Sequence, residues 1–212
     1  MKNHLQTIDY WKTRLENDSQ RDWQYDKEDW IEDYWESRKH PHRNSIIAEL
    51  QKLKPFTSLA EIGCNCGPNL ARISEEFSNV KLKGLDANKE SIERAKWLLP
   101  EVNFRHGSYL SLPWEDKSID VILADATLMY SDPQEIYTAM SEIRRVCKKA
   151  VIIVDRFSRL DRNNGHIWSR NYPELLKQYS FKVINKIKIT KEIWPGSKNW
   201  AKQGYIFVSV RQ

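Results

Sequence analysis

The residues of this chain best suited to chemistry stand close together. Glu61, Gly63, Asn65 and Gly67 alternate through Glu61-Ile62-Gly63-Cys64-Asn65-Cys66-Gly67, and Asp86 follows nineteen residues after Gly67. The stretch from Ser58 to Leu70 reads as strand, tight turn and helix, and Leu85-Asp86 closes a second strand with an acid. Such a layout suits a nucleoside ligand. Glycines let the backbone approach it, a helix N-terminus offers free N–H groups, and a carboxylate at the next strand end can accept from two ribose hydroxyls.

Two phosphate-binding patterns fail here. A G-x-G-x-x-G fingerprint placed on Gly63 needs glycine where Asn65 and Pro68 stand, and Pro68 has no N–H to offer a pyrophosphate. The G-x-x-x-x-G-K-[ST] loop has no match. What remains resembles the E-x-G-x-G-x-G motif of class I S-adenosylmethionine (SAM) dependent methyltransferases, with Asn65 at the family's second glycine. Asn tolerates positive φ better than other side chains, so the turn survives the exchange.

The resemblance covers most of the chain after residue 55. Lys83 to Asn88 is similar to the family's second strand, and Val102 to Trp114 to its third strand and adenine loop, where Ser108 replaces a frequent Asp. Ser118 to Tyr130 is similar to the fourth strand and the loop beside the transferred methyl group. The resemblance implies SAM as cofactor and a binding shell of Glu61, Gly63, Cys64, Asn65, Gly67, Asn69, Asp86, Ala87, Gly107, Ser108, Tyr109, Asp125 and Ala126. SAM carries an activated methyl group, so a base is needed only where the acceptor must lose a proton. Candidates at strand ends are Asp125, Tyr130 and Asp155; His40, His42 and His166 are candidates from covering segments.

These residues need a scaffold, and the remaining pattern describes one. Glu135 to Val146 is an amphipathic helix with Ile136, Ala139, Met140, Ile143 and Val146 on one face, and Ala150 to Val154 is a β-branched run of the kind buried on both faces. Strands alternating with helices predict an α/β fold: a three-layer Rossmann-like sheet, mostly parallel. Phe181 to Thr190 and Gly204 to Val210 add an antiparallel C-terminal hairpin, joined through a turn at Trp194 to Trp200, and a helix ends at Gln178.

Residues 1–54 differ in texture. Trp11, Trp23, Trp30 and Trp35 place four of nine tryptophans in the first 35 residues. Asp29 to Arg38 reads as a helix with Ile31, Tyr34, Trp35 and Arg38 on one face; Pro41 breaks it, and a second helix runs from Arg43 to Leu53. The expected organisation is a single 212-residue domain, with residues 1–54 an N-terminal helical cover and 55–212 the SAM-binding core. Arg38-Lys39-His40-Pro41-His42-Arg43 stands at the break, as a solvated turn or as a lid that contributes a base or a carboxylate clamp.

Composition narrows the partners. A net charge of +5 from 34 basic and 29 acidic residues is a mild imbalance, read as a dispersed, solvated surface, so a nucleic-acid partner is not expected. The Asn/Asp-Pro-Pro-Tyr/Phe motif of enzymes that methylate base amino groups is absent where Asp125-Ala126-Thr127-Leu128 stands. Three cysteines fit a reducing compartment; Cys64 and Cys66 lack a second ligand pair at zinc spacing, so no metal is expected, and Cys147 reads as a packing residue. No apolar run approaches the roughly 18 residues of a membrane span, and the opening residues do not start a signal peptide; the expectation is a cytoplasmic protein. The leading expectation is methyl transfer to a small-molecule acceptor, a sugar or natural-product intermediate. RNA or protein as acceptor, or a SAM-binding sensor without catalysis, are the alternatives.

Overall fold

The structure, a computed structural model, describes residues 30–165 and 167–212. Trp11, Trp23 and His166 therefore lie outside the described residues. Helix α1 spans Trp30–Glu36 and passes into a 3-10 turn at Ser37–Lys39; α2 spans His42–Lys52. Then come β1 (Ser58–Ile62), α3 (Pro68–Glu76), β2 (Lys81–Asp86), α4 (Lys89–Leu98), β3 (Asn103–His106) and β4 (Ile119–Asp125). After a 3-10 turn at Leu128–Tyr130 follow α5 (Glu135–Val146), β5 (Cys147–Arg156), β6 (Arg162–Asn164), β7 (Ile167–Ser169), α6 (Tyr172–Gln178), β8 (Phe181–Lys188), α7 (Lys198–Gln203) and β9 (Gly204–Arg211).

Seven strands form one sheet in the order β3-β2-β1-β4-β5-β9-β8. The pairs from β3 through β5 are parallel, whereas β9 runs antiparallel to both β5 and β8. This is the expected mostly parallel sheet with an antiparallel C-terminal hairpin. Successive side chains on a strand point to opposite faces, and the core divides accordingly. Leu59, Val121, Leu123, Ile152, Val154, Ile206 and Val208 pack on one face with Ile46 and Leu50 of α2 and Leu70 and Ile73 of α3. Ala60, Ile62, Ile122, Ala124, Val151, Ile153 and Phe207 pack on the other with Ile136, Met140 and Ile143 of α5 and Leu176 of α6. Burial on both faces explains the near-continuous apolar runs of β4 and β5.

Three local differences from the sequence reading have physical causes. The helix expected over Asp29 to Arg38 tightens at Ser37, whose hydroxyl donates to the Tyr34 carbonyl at 2.5 Å. The Trp194 to Trp200 turn contains the start of α7, because Ser197 caps it by accepting from the Trp200 N–H. A short antiparallel hairpin, β6 with β7, follows β5; its first strand, Arg-Asn-Asn, carries no apolar alternation to announce it. Ile46 and Leu50 are fully buried among sheet residues, so α2 is a core layer, although it precedes residue 55.

The register decides where the chemistry gathers. Ile62 pairs with Leu85 and with Ala124, Asp86 pairs with His106, and Asp125 pairs with Val154. The loops after β1, β2, β3 and β4 therefore leave the sheet at one edge, the carboxyl end of its parallel strands, where open α/β sheets take ligands.

Candidate active site

Between β1 and α3 the chain turns through three positive φ angles: Gly63 at 70°, Asn65 at 51° and Gly67 at 88°. Gly63 has a second reason to be glycine, since a Cβ there would stand 2.1 Å from Thr127 Oγ1. Gly67 caps α3 with Pro68 at its first turn, a position where the missing N–H costs no helical bond. Asn65 closes the turn on itself, its Oδ1 accepting from the Cys66 N–H at 2.6 Å.

Asp86 ties this loop to β2. One carboxylate oxygen accepts from the Asn65 N–H at 2.8 Å and the other from the Asn88 N–H at 2.8 Å. Burial raises its pKa, and these backbone bonds oppose the rise. Asp86 thus organises the turn as well as lining the cavity beside it, a dual role that strand position alone does not announce.

A second carboxylate stands at the end of β4. Asp125 Oδ2 accepts from His42 Nε2 at 2.8 Å, from Asn69 Nδ2 at 2.9 Å and from Arg43 at 3.3 Å. Arg43 also donates to Asn69 Oδ1 at 2.5 Å and to the carbonyl and hydroxyl of Ser37 at 2.8 and 2.7 Å, while Asn69 Nδ2 reaches Glu61 Oε1 at 2.6 Å. Burial pushes the Asp125 carboxyl up, but His42, Arg43 and Asn69 outweigh it and bring its pKa to about 2. At Glu61 complete burial outweighs the Asn69 bond and the Arg43 charge, and its carboxyl rises well above the usual range. Asp125 Oδ1 and Glu61 Oε2 are buried without a hydrogen-bond partner among the described residues. A donor entering the cavity beside them would satisfy these oxygens.

A cavity opens over this edge. Of the expected shell, Gly63, Asn65, Asp86, Ala87, Gly107, Ser108, Tyr109, Asp125 and Ala126 line it, as does the candidate Tyr130. Glu61, Cys64, Gly67 and Asn69 lie behind the wall and hold it. Cys64 is 1% exposed, burial pushes its thiol well up, and Asn69 is consumed by Glu61, Asp125 and Arg43. Trp30 and Tyr34 of α1, with Leu85, Asn88 and Thr127, complete the lining, and none of the five stood among the expected binding residues. The aromatic texture of the N-terminal segment was the signal for the first two. Asp155 is fully buried, bonded by the Tyr172 hydroxyl at 2.8 Å and absent from the lining; its place is structural. His42 reaches the site through Asp125, whereas His166 lies outside the described residues. Among the described residues no cluster of three or more metal-ligating side chains occurs, and no helix is long and apolar enough to cross a membrane.

Comparison with known proteins agrees with this geometry. Residues 59–150 match the family model described as a methyltransferase domain. Over that stretch, from β1 into β5, the chain is similar to a methyltransferase domain. The domain is 30% identical over 117 residues to sterol 24-C-methyltransferase ERG6B of Gibberella zeae, covering 52% of this chain and 29% of that protein. It is also 30% identical over 109 residues to an uncharacterized 37.1 kDa protein in transposon TN4556 of Streptomyces fradiae, covering 49% and 31%. The chain thus spans about a third of the length of the curated relatives it matches. In fold it is similar to magnesium protoporphyrin IX methyltransferase (ChlM) of Synechocystis PCC 6803 with bound S-adenosylhomocysteine (SAH), with a TM-score of 0.69 at 12% identity over 99% of this chain and all of that one.

Proposed function

We propose that this domain binds SAM in the cavity at the strand ends and transfers its methyl group to a small-molecule acceptor of the sugar or natural-product kind. The observation that carries the reading is the pairing of two carboxylates in one cavity: Asp86 beside the glycine turn, and Asp125 with a buried oxygen that has no partner among the described residues. SAM offers what each needs: ribose hydroxyls for Asp86, and an α-ammonium for Asp125 Oδ1, reinforced by the negative charge of Glu61 wherever that acid ionises. Bound there, SAM supplies a sulfonium-activated methyl group.

The chain's own residues do the rest. In this reading the positive-φ turn brings backbone to the donor, and Ser108 and Tyr109, which line the cavity after β3, meet the adenine. The ionised Asp125 favours a cationic donor over its neutral product, because charge is lost from the site as the methyl leaves. Trp30, Tyr34 and Tyr130 wall the cavity with aromatic surface that excludes water and orients an acceptor for in-line attack. Such a wall favours a compact acceptor over a polymer, as do the sterol and porphyrin acceptors in the names of two similar proteins.

Calorimetry with SAM, SAH, NAD and ATP tests the reading. Binding of SAM and SAH with at least tenfold weaker NAD and ATP is expected, since the turn fails both phosphate patterns. Tight NAD binding rejects it. SAH release from SAM in the presence of a small-molecule extract then separates an enzyme from a SAM-binding sensor.

A further inference from the structure

Cations gather where β8 and β9 meet the segment after β5, and no acid answers them. Lys186 pairs with Phe207 and Lys188 with Tyr205, and paired residues share a face of the sheet. Both lysines therefore lie on the side of Phe207, over aromatic surface. Phe157, Tyr205 and Phe207 form that surface, with ring centroids 5.4, 5.8 and 6.1 Å apart. The Lys186 ammonium stands 3.5 Å from the centre of Phe157, 4.5 Å from Tyr205 and 5.7 Å from Phe207; that of Lys188 stands 4.4 Å from Tyr205. Ring faces attract these cations but bring no net negative charge.

The remaining contacts leave the charge uncancelled. Lys188 Nζ donates to the Lys202 carbonyl at 2.6 Å, whereas Lys186 Nζ has no hydrogen-bond or ion-pair partner among the described residues. Arg159 is the third cation, exposed and close enough to act on Lys186, and its guanidinium has no ion pair among the described residues. Asp161, two residues further on, stands 3.8 Å from Arg170 Nε instead. Partial burial and then Arg159 lower the pKa of Lys186, and partial burial and then Lys186 lower that of Lys188. Elsewhere the surface cations meet acids: Arg145 holds Glu142 and Asp116, and Lys149 stands 3.5 Å from Asp120. A group of like charges that packing holds together is stabilised by an anion from solution.

We propose that Lys186, Lys188 and Arg159 form a binding site for a phosphate group, over the floor of Phe157, Tyr205 and Phe207. The charge count selects the ligand. A phosphate monoester or free phosphate is close to dianionic at neutral pH and offers three oxygens, enough for two ammonium groups and a forked guanidinium. A carboxylate brings one charge and two oxygens. The site is separate from the donor cavity, since none of the three cations lines it and β8 lies three strands from β4 in the sheet. It stands whether or not the domain transfers methyl groups.

Proton–carbon correlation spectra of the full chain with isotope-labelled lysine test the site without SAM. Ring currents displace the ε-methylene signals of Lys186 and Lys188, and Lys186→Gln and Lys188→Gln assign them. At constant ionic strength, inorganic phosphate and phenyl phosphate are expected to move both signals with saturation in the millimolar range, and acetate to bind at least tenfold more weakly. Tighter binding of phenyl phosphate identifies an organic monoester as the ligand, and equal binding identifies the free anion; either outcome supports a phosphate site. The double variant Lys186→Gln/Lys188→Gln binds phosphate at least tenfold more weakly and keeps its melting temperature, with the SAH Kd within twofold of wild type. The proposal is overturned by the absence of a saturable shift, by a shift that sodium chloride reproduces, or by unchanged phosphate affinity in the folded double variant.

Discussion

Asp125 and Asp155 end neighbouring strands and have opposite fates. Asp125 pairs with Val154, so Asp155 stands one residue further along and points to the other face of the sheet. On its face Asp125 meets His42 and Arg43 of α2, stays ionised near pKa 2 and lines the cavity. Asp155 meets the Tyr172 hydroxyl of α6 and the Arg156 N–H; burial dominates and raises its pKa to about 7. One residue of register separates an acid that lines the cavity from one held in the core, and the charge of the partners sets the opposite directions of their pKa values.

Breaking the charged side has the larger effect. Asp125→Ala leaves Arg43 and His42 buried beside Glu61 with no ionised partner in place, and is expected to cost about 3–5 kcal/mol of stability together with SAH binding. Denaturant melts and an SAH titration measure both; a variant as stable as wild type contradicts the network. Asp86→Ala is expected to weaken SAH binding by about 2 kcal/mol. Because each Asp86 oxygen also accepts a backbone N–H, it lowers the melting temperature too, and Asp86→Asn recovers only part of either loss.

The pH dependence sharpens the same contrast. Asp125 is depressed in the folded chain, so its contribution is present above its unfolded value near 3.8 and is lost as pH falls toward 2. Asp155 is raised, so its contribution is present below 3.8 and is lost as pH climbs toward 7. Asp155→Asn should therefore flatten the decline in stability between about pH 4 and 7 while leaving SAH affinity within twofold, as denaturation at pH 4.5 and 7.5 will show. An unchanged slope contradicts the assignment. In the turn, Asn65→Gly keeps SAH binding, whereas Asn65→Val loses about 1 kcal/mol of it, because a β-branched side chain resists a φ of 51°.

The sequence made the local pattern of this molecule legible and left its long-range contacts hidden. The alternation of Glu61, Gly63, Asn65 and Gly67, the one-sided helix from Glu135 to Val146 and the apolar run of β5 are short-range periodicities, and each appears where the pattern puts it. The bond between His42 and Asp125 joins residues 83 apart, and nothing local to either announces it. Trp30 and Tyr34 belong to the segment expected as a cover, but a helix face does not say which cavity it roofs. Asp155 looked like Asp125 because burial and partners, which separate them, belong to the register of two strands and the helices against them.

The most direct test of the central claim is a crystal structure of the domain with SAH. The account predicts both ribose hydroxyls on Asp86 and the α-ammonium against Asp125 Oδ1, under the rings of Trp30 and Tyr34. Ligand density away from these two carboxylates, or an Asp125 Oδ1 that remains without a partner beside bound SAH, contradicts it.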